Sequence, residues 1–153
     1  MARTKFNVDK DKEKRTCNGI VFDSILEMRY YRDVICPQVE SGNIVDVQLQ
    51  VKYELQPKFT HDNKTVQSIN YIADFVVTYA DGRLEVIDIK GLPTQDALLK
   101  RKMFWYKYPD ITYIWITWCQ KFGGWIEYNE YKHMKREESR NKSKLNNSER
   151  KEQ

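Results

Sequence analysis

From residue 44 to residue 55 apolar and polar side chains change places at every step. Val45, Val47, Leu49, Val51 and Tyr53 alternate with Asp46, Gln48, Gln50, Lys52 and Glu54. A period of two predicts a strand with one buried face, ended by Pro57. Upstream the period lengthens: Leu26, Tyr30 and Val34 recur every four residues, which predicts a helix over 24–35, stopped by Pro37. Residues 58–68 are polar and read as a connection. Residues 68–79 and 84–90 are apolar on both faces, so they predict strands at the centre of a sheet. Asp81-Gly82 between them signals a hairpin. Gly91-Leu92-Pro93 then breaks the chain, and Thr94 suits the N-cap of a second helix over 94–106. Residues 111–118 and 125–128 read as a fourth strand and a short fifth. This order predicts an α/β fold with a mixed central β-sheet flanked by helices.

The 153 residues fit one domain. A hydrophobic content of 41% argues against global disorder, and 31% charged residues argue against a membrane protein. No apolar run approaches the ~20 residues of a membrane span. Met1-Ala2-Arg3-Thr4-Lys5 leads into charge rather than an apolar stretch, which reads as no secretory signal. Cys17, Cys36 and Cys119 are odd in number and far apart, as free thiols in a reducing cytoplasm would be.

Charge is uneven. Residues 1–16 carry six Lys/Arg against three Asp/Glu, residues 131–153 eight against four, and residues 17–130 twelve against fifteen. The expected layout is a flexible basic arm (1–16), a mildly acidic folded body (17–130) and a charged, mostly disordered basic tail (131–153). Basic ends point to a polyanionic partner, although short charged ends also serve solubility alone.

Two acids lie inside apolar strands: Asp74 in Tyr71-Ile72-Ala73-Asp74-Phe75 and Asp88 in Val86-Ile87-Asp88-Ile89-Lys90. A carboxylate there is costly unless paired or bound to a cation, and two on adjacent strands repel. A divalent metal removes both penalties, and hard oxygen ligands point to magnesium or manganese. The geometry hinges on the turn. A two-residue loop would send the aspartates to opposite sides of the sheet. A three-residue loop, Ala80-Asp81-Gly82 with Gly82 left-handed, sets Tyr79 opposite Arg83 and Asp74 opposite Asp88, with Lys90 on the same face. The three-residue loop is the register expected. The rival reading is a buried ion pair of Lys90 with Asp88 or Asp74, which leaves one of the carboxylates unexplained. Glu27 borders the apolar stripe of the first helix, and Ser24-x-x-Glu27 is also a capping box.

The pattern Phe22-x-Ser24-x-x-Glu27, then Tyr71-Ile72-Ala73-Asp74-Phe75, then Val86-Ile87-Asp88-Ile89-Lys90-Gly91 resembles the PD-(D/E)xK nuclease superfamily, most of all its small phage-encoded, Holliday-junction resolvase-like members. Ala73 stands where that pattern has proline, a frequent replacement, and Asp88 is within its allowed variation. The resemblance spans roughly residues 20–120. It implies a restriction-endonuclease-like core of order α-β-β-β-α-β and magnesium-dependent hydrolysis of phosphodiester bonds in branched or structured DNA, with manganese as a substitute metal. Asp74, Asp88 and the Ile89 carbonyl would hold the metal, with Glu27 joining directly or through water. Lys90 would orient the attacking water.

Two symmetric cuts imply a homodimer, in the cytoplasm of a bacterial host if phage-encoded. Alternatives on the same fold are a restriction- or transposase-type duplex nuclease and a non-catalytic DNA-binding module. Gln50 is a candidate to line the cleft, although an exposed strand glutamine is the plainer reading. On the second helix Lys100, ahead of Arg101, Lys102 and Lys107, is a candidate to grip DNA phosphates, against a merely solvated face. Tryptophans and tyrosines inside the elements read as core. No glycine-rich phosphate loop is present, and His61 and His133 are poorly placed for catalysis.

Overall fold

A computed structural model describes residues 11–149. Two short strands, β1 (Thr16–Cys17) and β2 (Ile20–Val21), form a hairpin about Asn18-Gly19, both at positive φ. Helices α1 (Ile25–Tyr30) and α2 (Cys36–Glu40) are joined without a break by a π turn over Tyr31–Ile35. Then come β3 (Ile44–Gln56), β4 (Phe59–His61), β5 (Lys64–Val66), β6 (Ile69–Tyr79), β7 (Leu84–Ile89), α3 (Gln95–Lys107), β8 (Thr112–Cys119), β9 (Gly124–Glu127) and α4 (Tyr128–Glu149). Among the described residues no helix is long and apolar enough to cross a membrane.

The main sheet has the order β3-β6-β7-β8-β9. Strand β6 runs antiparallel to both β3 and β7, β8 lies parallel to β7, and β9 returns antiparallel to β8. A parallel neighbour requires a crossover, and α3 supplies it. The sheet is therefore mixed, as expected. Both faces of its central strands are covered. Phe75, Val77, Ile87 and Ile89 pack with Phe22, Met28, Tyr30 and Ile35 from the α1 side, while Val76, Val86, Tyr113 and Trp115 pack with Phe104 of α3.

Several expectations need correction. Pro37 does not stop the first helix; it lies in the first turn of α2. The Cys36 N–H reaches back five residues to the Tyr31 carbonyl. The regular ladder is thus already interrupted where a proline lacks its donor and needs room for its ring. The polar connection 58–68 contains a hairpin, β4–β5, turned by Asp62 and Asn63 in the left-handed region.

Strand β3 is less regular than its alternation. Val45 is exposed, because the pairing with β6 slips between Ile44 and Asp46. Val47 and Leu49 pack on the α1 side but Val51 and Tyr53 on the α3 side. Between them Gln50 adopts a φ of 54°, which an L-residue rarely takes within a strand. Such a residue breaks the two-residue period.

The ends differ too. The first ten residues and residues 150–153 lie outside the described residues. Within the rest of the expected arm, Glu13–Arg15 form a 3₁₀ turn, and Arg15 donates to the Phe22 carbonyl at 2.6 Å. The stretch expected to be mostly disordered is helical as far as Glu149. Its first turns have packing partners, since Tyr128 lies on Trp115 and Tyr131 on Phe122. Beyond them Arg140 pairs with Glu137 and Lys142 with Glu138, at helical spacings.

Candidate active site

The β6–β7 hairpin has the three-residue loop. The Tyr79 N–H donates to the Arg83 carbonyl and the Gly82 N–H to the Tyr79 carbonyl, each at 2.9 Å. Gly82 sits at φ 85°, where a side chain would be strained. Pairing proceeds from Thr78 opposite Leu84 to Phe75 opposite Ile87 and ends there. The next positions in that register are Asp74 and Asp88. Ladder bonding gives way to a side chain: the Ile89 N–H donates to Asp74 Oδ2 at 2.8 Å.

Asp74 keeps some surface open to water but is crowded by protein on most sides. Burial raises its carboxyl well above the usual range, and the neighbouring charges of Asp88 and Glu27 push the same way. Glu27 is 7% exposed. Its carboxyl is pushed up to about 7, first by burial and further by Asp23 and Asp88, against the lowering bond from Ser24. The capping box exists: the Ser24 hydroxyl donates to Glu27 Oε1 at 2.8 Å and accepts the Glu27 N–H at 3.1 Å. Glu27 Oε2 remains buried without a hydrogen bond.

Asp88 is 2% exposed. Its Oδ2 pairs with Lys90. Behind Asp88 stand Tyr71 and Tyr113, whose hydroxyls are pushed up by burial and by the Asp88 charge. Trp115 is Asp88's partner across the parallel ladder, and its Nε1 donates to the Tyr113 hydroxyl at 2.7 Å. Lys90 lies over the same indole, with Nζ 5.5 Å from a ring centroid.

The fold thus brings Glu27, Asp74, Asp88 and Lys90 together from α1, β6 and the end of β7. Ile89 joins through its amide. The β3–β6 register sets the Gln50 backbone opposite Asp74, and that pair is the one missing between Asp46–Thr78 and Glu54–Asn70; its side chain is exposed, the plainer of the two readings. Lys100 does not join. It pairs with Asp96 one turn earlier on α3, at 3.3 Å. The α3 cation that turns inward is Arg101, whose guanidinium carbon lies 4.0 Å from a Trp115 ring centroid.

The donor set suits a hard divalent cation, being all oxygen and strongly anionic, with an orphaned buried oxygen on Glu27. As the side chains stand, however, no three His, Cys, Asp or Glu residues among those described are arranged to hold a metal. Asp88 is occupied by Lys90, Asp74 by the Ile89 amide and one Glu27 oxygen by Ser24.

Fold and site together define an α/β protein with a buried carboxylate cluster and a lysine where its central hairpin comes apart. The chain belongs to the family described as protein of unknown function (DUF1064), whose model matches residues 3–124. That span holds every residue of the cluster and stops short of α4. No curated protein matches the chain.

Proposed function

We propose that the chain is a magnesium-dependent DNA endonuclease with a restriction-endonuclease-like core, of the PD-(D/E)xK type, acting on branched or structured DNA as a homodimer. The reading rests on one observation. Asp74 and Asp88 lie against one another at the end of the hairpin pairing, beside Glu27 and Lys90, in an arrangement that costs stability at neutral pH unless a cation relieves it. Structural frames rarely collect three carboxylates around one ammonium at one spot, whereas hydrolytic sites do.

Asp74, Asp88 and Glu27 would hold magnesium or manganese, with the Ile89 carbonyl as a further ligand. The metal supplies charge neutralisation at the phosphate and activation of the attacking water. Lys90 orients that water and offsets charge on the scissile phosphate as the new P–O bond forms and the bond to the leaving sugar oxygen breaks. Tyr71, Tyr113 and Trp115 wall off the rear of Asp88, which keeps the local dielectric low and strengthens each charge contact.

A second reading has support of its own. The closed Asp88–Lys90 pair is what a non-catalytic DNA-binding module would keep as a structural ion pair. One assay separates them: a synthetic four-way junction, linear duplex and supercoiled plasmid, each with Mg²⁺, Mn²⁺ or EDTA. Metal-dependent junction cleavage, lost in a folded Lys90→Ala variant, supports the proposal. Plasmid cutting without junction preference favours a duplex nuclease, and binding without cutting in any metal favours the binding module.

A further inference from the structure

Arg101 is the unexplained charge beside this site. It projects from α3 onto Trp115 and lies 4.7 Å from a ring centroid of Trp105, so its guanidinium is in contact range of two indoles. Burial lowers its hold on its proton, against smaller opposing effects of Tyr113, Tyr128 and Glu127. No carboxylate lies within ion-pair distance of it among the described residues. Its one hydrogen bond runs from Nη1 to Asn129 Oδ1 at 3.3 Å, and its Nε is enclosed without an acceptor. Lys90 is matched by Asp88, Lys100 by Asp96 and Lys107 by Glu54.

Trp115 fixes where this charge stands. Lys90 Nζ and the Arg101 guanidinium lie over the same side chain, at 5.5 and 4.0 Å from ring centroids. The two charges are therefore separated by no more than a few nucleotide steps, at about 3.4 Å of rise per step along a strand. A planar guanidinium fixed by stacking presents its remaining N–H edge to a phosphate with little entropy left to lose.

We propose that Arg101 binds a backbone phosphate of the substrate strand neighbouring the scissile one, and so sets the register of the DNA over Lys90. This rests on the nuclease reading, and the test keeps the two apart. Fluorescence anisotropy in EDTA would measure binding of a labelled four-way junction across a salt series by wild type, Arg101→Gln, Arg101→Lys and the control Arg32→Gln, whose residue is exposed and already paired with Asp33.

Arg101→Gln is expected to bind roughly fivefold or more weakly and to lower the salt slope by about 1, while Arg32→Gln matches wild type. Arg101→Lys keeps the slope but not the full affinity. A readout on wild type guards against misfolding of the variants: the Arg101 Nε–H resonance, assigned by its loss in Arg101→Lys, shifts when junction DNA is added. If wild type binds and cuts DNA while Arg101→Gln retains its affinity and slope, or while the resonance stays still, the Arg101 inference is wrong and the nuclease reading survives. If wild type binds no DNA at all, both fail together.

Discussion

Glu27→Gln tests the electrostatics of the site without needing a substrate. Glutamine keeps the shape and can still cap with Ser24, so the substitution removes little besides the charge. Moving the carboxyl from 4.5 to about 7 biases the fold against the ionised side chain by about 3 kcal/mol. Above pH 7 the folded protein bears that whole penalty, so the variant should be more stable by up to about 3 kcal/mol. For a chain of this size that is a rise in Tm of about 6–12 °C.

The pH dependence has a definite sign. Between pH 4.5 and 7 the folded state keeps a proton that the unfolded chain has released, so stability falls as pH rises through that window. Below 4.5 both states are protonated and the advantage of the variant disappears. Thermal melts of the two proteins in EDTA, from pH 4 to pH 8, would show the curves converging at the acidic end. A Tm for Glu27→Gln at pH 8 equal to or below that of wild type would refute the reasoning, as would a gap that widens on acidification. Magnesium should narrow the gap by raising the wild type, since a cation relieves the same repulsion.

Further substitutions probe the surroundings of the site and the core beneath it. Lys90→Met leaves Asp88 buried without its counter-charge and should cost about 3–5 kcal/mol in urea melts; pairing it with Asp88→Asn should recover most of the loss. Gln50→Gly should be neutral or stabilising by about 1 kcal/mol, because glycine takes the left-handed conformation freely, whereas the β-branched Gln50→Val should lose about 2 kcal/mol or more. Phe104→Ala empties the centre of the α3-side core, where the phenyl ring is fully buried, and should cost about 3–5 kcal/mol by chemical denaturation.

The part of the fold most open to sequence reasoning was the hairpin that carries the aspartates. A glycine in third place of a short turn fixes the register, and the register fixes which side chains face one another. The central strands declared themselves by being apolar on both faces, and Thr94 does cap α3. What escaped was written in conformations without a local signature. Nothing in Leu49-Gln50-Val51 announces a left-handed glutamine; pairing with β6 and the demands of two cores impose it. Asn18-Gly19 is a strong turn signal, but its strands are two residues long and were too short to stand out.

Pro37 misled because a proline normally ends a helix, and only the π turn before it makes its place tolerable. The C-terminal helix was hidden by its polarity, since a few tyrosines in the first turns suffice to dock it. On α3, Lys100 and Arg101 are neighbours with the same charge sign. Which of them turns inward depends on where Trp115 lies across the sheet, and that is a tertiary fact.

The hydrogen bond from the Ile89 amide to Asp74 gives the molecule a built-in gauge. The last rung between two central strands is made by an ionisable side chain rather than by main chain, so whatever captures that carboxylate also withdraws the amide's acceptor. Deuterium uptake at this single amide should then quicken when a cation is taken up. The extent of the sheet at this corner would report the occupancy of the cleft before any bond in a substrate is broken.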